Sequence, residues 1–217
     1  MDGIPVRCVC GTEMSLDHAL SCPCRGYPSA RHNEVRDVLA EAMRSVVHDV
    51  EIEPTLLPYE GEDLDGRTAN KSQAAQVDIR ARGFWTRQKD AFFDIRVTNP
   101  KADLHTVTGI RRQLLDNERQ KKRQYLQRVV NIDRGSFTPL VFATNGMVGK
   151  ECYCALKALV SMIVSKNADL HYSAVINLLR RKLRFAILRW NITCFRGCWA
   201  SYLKKSGHFL AECYLMA

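Results

Sequence analysis

The sequence predicts an α/β protein: a mixed β-sheet flanked by helices, preceded by a short Cys/His segment and followed by C-terminal helices. Three observations carry that expectation. Segments of two-residue alternation stand near the middle of the chain, helical periodicity brackets them on both sides, and four of the nine cysteines (Cys8, Cys10, Cys22 and Cys24) crowd into the first 24 residues. With 46% hydrophobic residues in 217, the chain can fill one core of ordinary size, and long disorder is not expected. No run of eighteen apolar residues exists, and Met1–Pro5 does not lead from basic into apolar sequence. Neither a membrane span nor a secretory signal is therefore expected.

Residues 1–30 are punctuated by Cys, Gly and Pro and cannot build a core alone. A helix begins at Arg31, with Val35, Val38, Leu39, Ala42, Met43 and Val46 at the 3.6-residue period. A strand follows near Val50–Leu57, where Pro54 marks an edge or bend, and Tyr59–Ser72 is a long polar loop. Gln76–Arg82 alternates Val77, Ile79 and Ala81 against Asp78, Arg80 and Arg82, and Ala91–Thr98 alternates in the same way until Asn99-Pro100 stops it. A helix is expected from about Gly109 to Val130, a buried strand over Phe137–Ala143, and helices over about Val148–Val164 and Ser173–Thr193. The last twenty residues give no reading. This divides the chain into a knuckle (1–30), an α/β core (31–146) and a basic helical region (147–217).

The formal net charge of +9 favours polyanions as partners, because each neutralised phosphate releases condensed counterions. From His171 to Ala211 there is no Asp or Glu, and Arg180, Arg181, Arg184 and Arg189 fall there on a helix whose other face is apolar. They are expected to track phosphates without reading sequence. An odd cysteine count without an export signal argues against a disulfide framework. The spacing Cys8-x-Cys10, His18, Cys22 instead suits a tetrahedral structural zinc, with Cys24 as an alternative fourth ligand and free buried thiols as the plainer reading.

Asp78 and Asp94 sit on the polar faces of consecutive strands, and two carboxylates projecting to one side make a hard oxygen site for Mg²⁺. A solvated sheet face paired to Arg80 and Arg82 would explain them equally well. On the following helix, Lys121 and Tyr125 lie about 40° apart on the apolar side, and Lys122 nearer its centre. Either lysine could reach the carboxylates, or both could be solvated cations with snorkelling stems.

Together, Cys8–Cys22, Arg31-His32-Asn33, Glu53-Pro54-Thr55-Leu56, Val77-Asp78-Ile79, Phe93-Asp94-Ile95-Arg96-Val97 and Gln120-Lys121-Lys122-Arg123-Gln124-Tyr125 resemble the C-terminal segment of site-specific non-LTR retrotransposons. In that family a zinc knuckle precedes a restriction-endonuclease-like domain of the PD-(D/E)-x-K type. The resemblance spans roughly residues 8–145, and it implies a Mg²⁺-dependent nick in target DNA that primes reverse transcription. Asp78 and Asp94 would hold the metal, Lys121 or Lys122 would serve the water or phosphate, and Glu34 or Glu53 would complete the shell. DNA, an RNA template and a reverse transcriptase missing from these 217 residues would be partners, and the nucleus the location.

Three departures accompany the resemblance. Val77 replaces the family's proline, fifteen residues separate Asp78 from Asp94, and arginine stands at 96. A catalytically inactive nucleic-acid-binding remnant of the same fold is the rival expectation. An interaction protein with a structural zinc is the third.

Overall fold

The computed structural model describes residues 7–57, 76–100 and 107–205, so the expected Tyr59–Ser72 loop and residues 206–217 lie outside the described residues. The elements run α1 (Leu16–Ser21), α2 (Tyr27–Arg44), β1 (Val50–Ile52), β2 (Ile79–Arg82), β3 (Asp90–Thr98), α3 (Val107–Asn131), β4 (Ser136–Ala143), α4 (Lys150–Lys166) and α5 (Tyr172–Lys205). The four strands form one mixed sheet in the order β1-β2-β3-β4, antiparallel except for the parallel β3–β4 pair, between which α3 crosses over.

Alternation along the strands decides what packs on each side. Ile79, Ala81, Phe93, Ile95, Leu140 and Phe142 point to one face and form the main core with Val35, Leu39 and Met43 of α2, Leu156 and Leu159 of α4, and Leu183 and Ile187 of α5. Phe92 and Phe137 point to the other face, against Tyr125 and Val129 of α3, and Val141 and Ala143 meet Ile110 and Leu114 there. The sheet face that reads as polar is thus covered by α3. Asp94, on that face, is only 4% exposed.

Three boundaries differ from the sequence expectation for local reasons. Helix α2 starts at Tyr27, because Gly26 takes a left-handed turn (φ 69°) and Pro28 fits the first helical turn, where no amide partner is lost. The Val50–Leu57 strand stops after Ile52, since Glu53 adopts φ 53° and Pro54 offers no donor; Thr55 pairs again with Gln76. Helix α5 continues past Thr193 and through Gly197 to Lys205. One glycine in a helix costs only about 1 kcal/mol, too little to end a long helix.

The outer edge of β4 is closed by residues 147–149: Ala143 N–H donates to Met147 O (2.8 Å) and Gly149 N–H to Val141 O (2.8 Å). At this point Glu118 of α3, 2% exposed, accepts the Glu151 N–H at 2.9 Å, satisfying one free amide at the start of α4. A Cβ at Gly149 would lie 2.1 Å from Glu118 Oε1, so any larger residue there has to displace the Glu118 carboxylate.

Candidate functional site

The N-terminal ligands come from a hairpin and a helix. Cys8 N–H donates to Thr12 O and Gly11 N–H to Cys8 O (both 2.9 Å), with Gly11 at φ 88°, so a tight turn places Cys8 and Cys10 side by side. Ser15 Oγ accepts the His18 N–H (3.1 Å) and starts α1, which offers His18 and, one turn on, Cys22. Cys8 Sγ lies 3.8 Å from Cys22 Sγ, Cys10 Sγ lies 3.1 Å from His18 Nε2, and the four ligand atoms all fall within 4.8 Å of one another. This set could hold a metal ion such as zinc; Cys24 is exposed and outside it. Burial pushes the Cys22 thiol up to about 12, whereas hydrogen bonds from Thr12 lower Cys10 to about 6.

The segment is fastened to the rest of the molecule. Met14 and Phe195 of α5 pack against Cys8, Ala19 and Cys22, Asn99 Nδ2 donates to Asp17 Oδ1 (2.9 Å), and Arg31 donates to Leu20 O (3.1 Å) and Asn191 Oδ1 (2.9 Å).

The acidic pair meets where β2 enters the sheet. Asp78 sits at the bend just before β2 rather than within it. Its N–H donates to Phe93 O (3.0 Å), and its Oδ2 accepts the Ile95 N–H, so it is tied to the residues on either side of Asp94. From α3, Lys121 Nζ reaches Asp94 Oδ2 at 2.8 Å and lies 5.4 Å from the centre of the Tyr125 ring. From α2, His32 Nε2 lies 2.8 Å from Asp78 Oδ1. Two carboxylates, a lysine, a histidine and a tyrosine converge from three layers.

The titration of these groups follows from their burial and proximity. Burial and, next, the charge of Asp78 raise the Asp94 carboxyl to about 6, against the lowering effect of Lys121. Burial works against a charged His32, but its hydrogen bond to Asp78 and the charges of Asp78 and Asp94 outweigh that and raise it above the usual histidine value. Tyr125 is pushed well up by burial and by the same two carboxylates.

Other candidates go elsewhere. Lys122 turns to Glu151 of α4 (2.7 Å), Glu53 pairs with Arg36 of α2, and Glu34 accepts from Arg189 and Trp190 of α5. Lys121 alone of the two lysines joins Asp94, and neither glutamate side chain turns to the pair. Glu53 does touch Asp78 through its backbone, N–H to O at 2.9 Å.

The four α5 arginines do not form one track. Arg180 and Arg184 line a cleft with Arg111, and Arg180 also stacks on Tyr153 at 5.3 Å. Arg181 and Arg189 line a groove with Glu34 of α2. Nine residues, about 180° of helix, separate Arg180 from Arg189.

His32 entered the sequence reading only within the Arg31-His32-Asn33 stretch of the resemblance and without a role, because 46 positions separate it from Asp78 and no local pattern links them. Among the described residues, no helix is long and apolar enough to cross a membrane. No protein-family model matches the chain, and no curated protein is similar to it.

Proposed function

We propose that the chain is a Mg²⁺-dependent DNA endonuclease with a restriction-like core and a structural zinc knuckle, of the kind retrotransposons use to nick a target for primed integration. The observation that carries this reading is the meeting of Asp78 and Asp94 with Lys121 from the crossover helix. The donor set fits the metal: two carboxylates give hard oxygen ligands, and Mg²⁺ bound by one or two carboxylates keeps waters of its own. A carboxyl that is 4% exposed and stays raised to about 6 by burial and a second carboxylate, even with Lys121 beside it, would be stabilised in its charged form by a further cation.

Mg²⁺ held by Asp78 and Asp94 would neutralise the scissile phosphate and supply hydroxide near neutral pH. Lys121, which pairs with Asp94 here, would then be placed to orient a phosphate oxygen or the attacking water. His32 fixes the Asp78 carboxylate, as an outer partner fixes a metal ligand. Tyr125, buried beneath Lys121, limits the lysine's swing. The knuckle holds zinc through Cys8, Cys10, His18 and Cys22, four ligands that leave no open position for chemistry. DNA is the substrate, an RNA template and a reverse transcriptase are the accompanying partners, and the nucleus is the place of action.

The Lys121–Asp94 ion pair also suits a rival, a nucleic-acid-binding module whose site is sealed by its own lysine. Nicking of supercoiled plasmid separates the two. Mg²⁺-dependent conversion to open circle that EDTA stops is the expected result. Tight DNA binding with no nicking of any substrate would establish the sealed module.

A further inference from the structure

A second recess lies beside the acidic pair, between the knuckle helix, the end of β3 and the first half of α3. It has a volume of about 620 Å³, and Arg31, Arg96, Arg112, Gln113 and Asn117 contribute to its wall. That is room for a nucleotide.

Its polar groups are incompletely used. Arg31, 2% exposed, spends its two terminal nitrogens on Asn191 and Leu20, while its Nε has no partner. No carboxylate pairs with it among the described residues, and burial works against its charge. Asn117, 8% exposed, has no partner for Nδ2. A buried donor left unpaired is unfavourable, and the two side chains that carry these donors both line the recess.

The surrounding charge is positive. Arg112 is exposed with no ion-pair partner among the described residues, and Arg96 donates only to the neutral Gln120 (2.7 Å). The one acid on the wall, Asp116, faces Arg119 at 3.4 Å. Arg96 follows Asp94 by two residues on the same face of β3, about 7 Å along the strand. The recess therefore opens next to the site where the scissile phosphate is proposed to sit.

We infer that this recess seats a phosphodiester of the same nucleic-acid strand, next to the one at Asp78 and Asp94, with Arg96 and Arg112 as its cations, and that the Arg31 and Asn117 side chains on its wall turn their unpaired N–H groups, shut off from solvent in the free protein, toward it. The inference rests on the nuclease reading for the strand's path, but not for the recess itself. Because the knuckle helix forms one wall, the seat would couple the zinc segment to strand placement.

The test uses the full zinc-loaded chain, ¹⁵N-labelled, with Ca²⁺ in place of Mg²⁺ and a short single-stranded oligothymidylate as probe. The Arg31 Nε–H and Asn117 side-chain amide signals should shift on binding. Asn117→Asp, which keeps shape but replaces the donor by a negative charge, should weaken binding about tenfold or more. Arg96→Gln with Arg112→Gln, both away from the core, should lower the salt slope by roughly 1.4, at about 0.7 for each single-strand phosphate no longer neutralised. Unmoved signals together with an unchanged slope would overturn the proposal. Equal shifts with inorganic phosphate alone would make the recess a free-anion site and overturn the strand assignment. Plasmid nicking measured in parallel keeps the two readings apart: nicking without recess binding sinks only the recess, and recess binding without nicking sinks only the nuclease.

Discussion

Asp94 and Asp78 were visible in the sequence because alternation puts both on one side of neighbouring strands, and Lys121 because helical counting aims it at them. What alternation could not show is that α3 covers that side, which turns a polar face into a buried site. The choice between Lys121 and Lys122 was also out of reach, since Glu151, which draws Lys122 away, belongs to a helix about thirty residues further on. The burial of Asp94 makes a pH-dependent statement. A carboxyl raised to about 6 in the fold, from an ordinary value near 4, opposes folding once ionised. Its cost is absent below about pH 4 and complete above about pH 6. Unfolding curves should therefore show Asp94→Asn gaining on the wild type between those limits, by roughly 3 kcal/mol at most. A pH-independent difference would mean that Asp94 titrates normally. In the metal-free protein Lys121→Met, which removes the charge that lowers Asp94, should move that window to higher pH.

Whole elements were more legible than their ends. The helix and strand order follows from periodicity, but the break at Glu53 depends on a backbone turn that the Glu-Pro dipeptide only hints at. The joint between α3 and α4 had no sequence signal, because Glu118 and Glu151 are 33 residues apart and no local pattern links them. Gly149→Ala should cost about 1–3 kcal/mol by forcing its methyl onto the Glu118 carboxylate; an unchanged melting temperature would show that Glu118 can withdraw. On α5, the basic run was clear from composition, yet its angular spread divides it into separate sides. Arg180→Gln with Arg184→Gln should flatten the salt dependence of duplex binding, by roughly 0.9 for each phosphate no longer neutralised. Arg189→Gln should chiefly disturb the packing of α5 on α2, because Glu34 is then without its cation. Equal effects of both changes on DNA binding would contradict this division.

At the scale of the molecule, the sheet carries the acidic pair while α1, α5 and Asn99 hold the Cys/His segment to its side. The sequence showed that residues 1–30 cannot build a core alone but not what they pack on, because the packing of residues near 191–195 on residues near 8–31 has no local trace. Zinc chelation should unfold mainly residues 1–30, since the ligands supply that segment's folding energy. It should also loosen Phe195 and Asn191, and intact hydrogen-exchange protection on α1 after chelation would contradict a structural metal.

The most direct test of the central claim is nicking and DNA affinity measured side by side for wild type, Asp78→Asn and Asp94→Asn in Mg²⁺. The account expects wild type to nick, and each variant to lose nicking while its affinity stays within about threefold, because the basic surfaces that bind phosphate lie outside the carboxylate pair. Nicking that survives either substitution would contradict it.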